Sequence, residues 1–130
     1  MNPKILVVED DRDCREILAI QLHCLGYGVI EADSGPKGLE KAVSEIPDLI
    51  IMDIGLPGID GIEATRWLKE DRRTKHIPIV VHTAFGEESR HKRALEAGAA
   101  KVLLKPVSPK IFQDTIQEFL QTDSPSLAFG

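Results

Sequence analysis

No apolar run in this sequence approaches the ~18 residues a membrane helix needs, so nothing in it predicts insertion in a bilayer. Cysteine is scarce. Cys14 and Cys24 fall in one predicted helix, where a rise of ~1.5 Å per residue sets them ~15 Å apart, beyond disulfide reach. Two thiols without metal-ligand spacing suit a reducing cytoplasm. Positive charge is also short: 16 Lys and Arg against 21 Asp and Glu leave a net charge of −5. That balance argues against a general nucleic-acid binder. The one basic run, residues 72–76 (Arg-Arg-Thr-Lys-His), reads as a solvated loop. The start, Met-Asn-Pro-Lys, is too short for a signal peptide. A phosphate-binding loop ending in Gly-Lys-Ser/Thr is absent. Gly26-Tyr-Gly28-Val-Ile-Glu31 begins like a dinucleotide fingerprint, but it lacks the third Gly and precedes a strand.

What is present is enough for one domain with a proper core: 130 residues, 42% of them hydrophobic. Short apolar runs stand at residues 5–8, 49–52, 79–81 and 102–104. They do not alternate with polar residues, as expected of parallel strands buried on both faces. Residues 27–32 alternate more and predict an edge strand. Helical patterns lie between. Cys14, Ile17, Leu18, Leu22 and Leu25 form one apolar stripe closed by Gly26. Leu39, Ala42, Val43 and Ile46 form another, with Ser34 as N-cap and Pro36 in the first turn. Asp60-Gly-Ile-Glu63 resembles a capping box before Ile62, Thr65 and Leu68. Gly98 ends a helix over 88–97. Ser108-Pro109 opens the last, with Ile111, Phe112, Ile116, Phe119 and Leu120 as its apolar residues. Trp67 reads as packing, and His82 as packed at a strand end. The order βαβαβαβαβα predicts an α/β fold, a doubly wound parallel sheet with helices on both faces. Residues after Leu120 lack periodicity and read as a flexible tail.

The chemistry gathers at the predicted strand ends, where ligand sites of such folds lie. The first strand ends in Glu9-Asp10-Asp11, the third in Asp53, the fourth in His82-Thr83 and the fifth in Lys105-Pro106. Two carboxylates ~4 Å apart repel by about 4 kcal/mol at an effective dielectric near 20. Glu9, Asp10 and Asp53 together therefore need neutralising. Lys105 cancels one charge, and a hard divalent cation would balance the rest. Mg²⁺ takes one or two carboxylates, keeps waters and accepts a phosphate oxygen. A carboxylate such as Asp53 can attack phosphorus to give an aspartyl phosphate. The cation, Lys105 and the Thr83 hydroxyl could then each take one equatorial oxygen.

These residues carry a resemblance. Ile-Leu-Val-Val-Glu9-Asp10-Asp11, Asp53-Ile-Gly-Leu-Pro57-Gly-Ile-Asp60-Gly61, His82-Thr83-Ala84 and Lys105-Pro106 are similar to the motifs of the two-component response-regulator receiver domain. The match spans residues 3–121, leaving 122–130 as tail. It implies a flavodoxin-like five-stranded sheet in the order 2-1-3-4-5. It implies Asp53 as phosphoacceptor, with Mg²⁺, for which Mn²⁺ could substitute, held by Glu9, Asp10, Asp53 and the Gly55 carbonyl. Asp11 would stand outside the metal shell and open the first helix. Thr83 would follow the phosphoryl group, Lys105 would pair with it, and the Lys105-Pro106 bond would be cis. The donor would be a sensor histidine kinase or a histidine phosphotransfer protein. Such a chain is a cytoplasmic signalling receiver that catalyses only its own phosphorylation and dephosphorylation. Its starting Met and irregular tail favour a free-standing protein.

The sequence also departs from the pattern. Leu56 stands where Met is common, and Val102 where the family often has a switch Tyr or Phe. Gly55 and Phe85, two residues after Asp53 and Thr83, cannot orient an attacking water, which predicts a long-lived phosphorylated form. The helix over 88–97 has few apolar anchors beyond Ala94, Leu95 and Ala97. It is therefore expected to move on phosphorylation, with the fourth helix, fifth strand and fifth helix as the face for a downstream protein or a second copy. Two alternatives remain open. One is a phosphorylation-independent interaction module on the same fold. The other is a small aspartate-nucleophile phosphohydrolase, for which Asp11-Arg-Asp13 has the spacing but lies one step late.

Overall fold

The computed structural model describes residues 2–56, 58–84 and 88–120, apart from the Glu88 side chain. Strands β1 (Lys4–Val8), β2 (Gly28–Ala32), β3 (Leu49–Asp53), β4 (Ile79–Thr83) and β5 (Lys101–Leu104) alternate with five helices. These are α1 (Arg12–Cys24), α2 (Gly35–Glu45), α3 (Gly61–Glu70), α4 (Glu88–Ala97) and α5 (Pro109–Leu120). All strand pairs are parallel and the order is β2-β1-β3-β4-β5. The sheet expected from the apolar runs is the sheet observed, with the alternating strand β2 at one edge.

Parallel strands buried on both faces send successive side chains to opposite layers. Leu6, Val8, Ile50, Met52, Ile79 and Val81 pack with Ala42, Ile62, Leu68 and Ala94 from α2, α3 and α4. Ile5, Val7, Leu49, Ile51, Val80 and Leu103 pack with Leu22, Phe112 and Ile116 from α1 and α5. Full burial of each Val, Leu, Ile, Met or Phe among them stabilises the fold by about 1.5–3 kcal/mol. The caps follow the local chemistry. Asp11, Ser34 and Asp60 accept hydrogen bonds from the amides of Cys14, Lys37 and Glu63. Ser108 Oγ accepts from the Ile111 amide. Gly26 and Gly98, at φ 95° and 116°, supply the left-handed residues just beyond α1 and α4.

Several packing expectations are corrected. Ile46 does not extend the buried stripe of α2. It caps the helix in the left-handed region at φ 45° and is exposed, because Pro47 disfavours helical backbone in the residue before it. Trp67 is exposed, since it falls outside the arc of α3 that buries Ile62, Thr65 and Leu68. On α1 only Leu22 of the predicted stripe is fully buried, while Cys14, Ile17 and Leu25 are exposed. Leu95 is likewise exposed, leaving α4 anchored by Ala94 and Ala97. The predicted tail at 122–130, Pro57 and Phe85 lie outside the described residues. No helix among the described residues is long and apolar enough to cross a membrane.

Candidate functional site at the carboxyl edge of the sheet

Strand register brings the predicted residues to one edge. Val8 pairs with Met52, Asp53 with His82, and Thr83 with Leu104. The next residues along β1 and β5 are Glu9 and Lys105. Backbone bonds hold both: the Glu9 amide donates to Ala32 O at 3.0 Å and the Lys105 amide to Thr83 O at 2.8 Å. The Lys105-Pro106 peptide is cis, as the family resemblance implies.

Carboxylate oxygens of Glu9, Asp10 and Asp53 lie within 4.8 Å of one another. An octahedral Mg²⁺ shell at ~2.1 Å separates trans oxygens by ~4.2 Å, so the three oxygens fit one shell after a small contraction. The donor set is all oxygen, as a hard cation requires. Asp11 is outside this group, capping α1 through the Cys14 amide, and Asp13 lies in that helix's first turn. Gly55 is exposed, with nothing within 4 Å of where a side chain would begin.

Lys105 ties the edge together. Its ammonium donates to Glu9 Oε1 at 2.9 Å and to Asp53 Oδ1 at 3.1 Å. Glu9 is nearly fully buried, and burial raises its pKa; the Lys105 bond opposes this and the Asp53 charge adds to it. Burial pulls the Lys105 ammonium down, but its bonds and charge interactions with Glu9 and Asp53 outweigh that, and its pKa is raised. The Glu9 carboxylate also accepts from the Asp11 amide at 3.1 Å. Thr83 is buried, and its hydroxyl lies 3.4 Å from Ala84 O.

Close packing fixes the acceptor loop. Gly61 sits against the Asp53 carbonyl with no room for a side chain. Its amide donates to Ile54 O at 2.9 Å, and the Ile54 amide to His82 O at 3.1 Å. The residue that sequence reasoning passed over is Arg90, which reaches from α4 to Asp60 at 3.3 Å. A charge in a helical run carries no signal of a partner 30 positions away.

The response regulator receiver domain model matches residues 5–117. The chain belongs to the response regulator receiver family. It is 35% identical to the polar-differentiation response regulator DivK of Brucella ovis over 92% of this chain and 98% of that protein. It is 39% identical to the phosphate regulon regulator PhoB of Pseudomonas aeruginosa over 93% of this chain but 53% of PhoB. Among solved structures, a response regulator of Chloroflexus aurantiacus superposes with TM-score 0.88 at 34% identity, covering 92% of this chain and 98% of that one. The receiver domain of the sensor histidine kinase PA1611 of Pseudomonas aeruginosa, solved with magnesium in its active-site cleft, gives 0.87 at 29% identity, covering 94% of this chain and all of that one. This receiver therefore presents a carboxylate cluster able to hold a divalent cation, with a lysine already bridging two of its members.

Proposed function

We propose that this receiver, residues 3–121 with 122–130 as tail, accepts a phosphoryl group on Asp53 and thereby changes the surface it shows to a partner. The observation that carries the reading is the Lys105 ammonium spanning Glu9 and Asp53 beside Asp10. A donor of suitable chemistry is phosphohistidine on a sensor kinase or phosphotransfer protein. An Asp53 carboxylate oxygen attacks phosphorus, the P–N bond breaks, and the departing imidazole takes its proton from solvent. Lys105, held beside Asp53, neutralises charge on the transferred group, and the Thr83 hydroxyl donates to another of its oxygens. Glu9, Asp10, Asp53 and the Gly55 carbonyl would hold Mg²⁺ or Mn²⁺. The bound ion supplies charge neutralisation at the phosphoryl oxygens. Self-dephosphorylation by water completes the cycle, so the chain turns over no separate substrate.

The exposed apolar residues Leu95, Leu104 and Ile111 come one each from α4, β5 and α5. They support that face as the one read by a downstream protein or a second copy. Phosphorylation replaces the single charge of the Asp53 carboxylate with a phosphoryl group carrying roughly −1.5 to −2 and three acceptor oxygens, which draw Thr83 and the start of the loop before α4. Hydroxylamine trapping tests the chemistry: an acyl phosphate reacts to a hydroxamate, and peptide mapping should place it on residue 53 alone. A hydroxamate elsewhere, or none with a stably phosphorylated Ser or Thr, would overturn the assignment.

A further inference from the structure

The turn from β1 into α1 carries Glu9 and Asp10, and a side chain of α1 holds it from outside the carboxylate cluster. Arg15 Nη1 donates to the Glu9 carbonyl at 2.9 Å. Arg15 Nε donates to Glu31 Oε1, on β2, at 3.2 Å. One planar guanidinium thus spans two acceptors, a task its rigid fork suits. The Arg15 side chain is 17% exposed, so it is not a solvated surface charge. Glu31 is held in turn, its carbonyl accepting from Lys41 Nζ at 2.6 Å. The Glu9 carboxylate has Lys105 and the Asp11 amide as partners. The Asp10 carboxylate is exposed and makes no hydrogen bond among the described residues, so its direction rests on its backbone.

We propose that Arg15 is a positioning residue for the divalent cation, setting the direction of the Asp10 carboxylate by fixing the Glu9-Asp10 peptide. The inference rests on the reading of Glu9, Asp10 and Asp53 as cation ligands. A peptide unit is planar, so a bond to the Glu9 carbonyl oxygen fixes the whole unit as far as the Asp10 Cα. With that plane fixed, the Asp10 side chain leaves the backbone toward the Glu9 and Asp53 carboxylates. Groups that hold the ligands without touching the metal typically change its affinity by roughly 10–100-fold when lost. Charge makes the effect readable by its sign. A guanidinium near a cation site repels the cation, so by charge alone its removal would tighten binding. Glu31 offsets part of that repulsion by pairing with Arg15. Positioning requires the reverse: removing Arg15 weakens binding although a positive charge has gone.

Mg²⁺ titrated into the isotope-labelled, unphosphorylated chain and followed by amide chemical shifts tests this. Arg15→Ala should bind Mg²⁺ about tenfold more weakly than wild type. Arg15→Lys keeps the charge and much of the stem but loses the fork, and should bind several-fold more weakly. Arg12→Ala removes the same charge from the same helix, at a side chain that is 80% exposed and pairs with Glu16. It should bind as tightly as wild type or slightly more so. Denaturant unfolding without metal identifies any variant that has lost its fold, and Arg15→Lys carries the test if Arg15→Ala has. Arg15 variants that bind Mg²⁺ as tightly as wild type, or more tightly, would overturn the inference while leaving the cation site standing. Equal weakening in Arg12→Ala would overturn it too, as a general effect of α1. A wild type that binds no Mg²⁺ would overturn the site reading and this inference with it.

Discussion

His82 carries a measurable consequence of its burial. Its folded pKa is depressed from 6.5 to about 4, so the unfolded chain binds the extra proton between those values. Stability is therefore intact above pH 6.5 and lost as pH falls toward about 4, by on the order of 3 kcal/mol from this residue. Glu9, whose pKa is raised, works in the opposite direction, since its charged form is the costly one in the fold. Denaturant unfolding of wild type and His82→Phe at pH 6.5 and at about pH 5, above most carboxylate titration, isolates the histidine. The variant should lose less stability between the two; equal losses would contradict the assignment. Gly55 gives a second test. Its open surroundings accept an Asn side chain, so Gly55→Asn should speed loss of the phosphoryl group several-fold by orienting an attacking water. An unchanged decay rate would contradict the expected long lifetime. At this scale, the positions of Glu9, Asp53 and Lys105 were legible because each directly follows an apolar run, and that of Asp10 because it follows Glu9. The environments of Trp67 and Leu95 were not, because an apolar side chain does not say which arc of its helix meets the sheet.

Element ends were legible wherever a side chain or a glycine makes the cap. Asp11, Ser34, Asp60, Gly26 and Gly98 do what their chemistry predicts. Ile46 was not legible as a cap, since the left-handed region is unfavourable for a β-branched residue and only Pro47 gives it away. The start of α3 is held by close contact rather than by a cap alone. Gly61→Ala would drive a methyl group into the Asp53 carbonyl, and should cost about 1–3 kcal/mol in stability and slow phosphorylation as the acceptor shifts. A variant as stable and as reactive as wild type would contradict that packing. Helix α4 is a candidate for movement because its buried apolar residues among those described, Ala94 and Ala97, are both small. Amide exchange should change on phosphorylation in α4 and β5; changes confined to α1 and α2 would contradict the proposed output face.

Across the whole molecule, the sheet order brings β1, β3, β4 and β5 side by side, so residues up to 96 positions apart meet on one edge. The alternation of apolar runs and helices was enough to predict a parallel sheet, whose strands all end on one edge, while the order that sets these four side by side was expected only from the family resemblance. One edge of the sheet is proposed to make Asp53 a metal-dependent phosphoryl acceptor. Lys105→Ala should keep the fold and slow phosphorylation by about 10²-fold or more, as expected for losing one charge-stabilising donor. The most direct test is intact mass after incubation with acetyl phosphate and Mg²⁺, for wild type and Asp53→Ala. A gain of one phosphoryl group is expected in the wild type only, lost when the metal is chelated. No gain in a folded wild type, or an equal gain in Asp53→Ala, would contradict it.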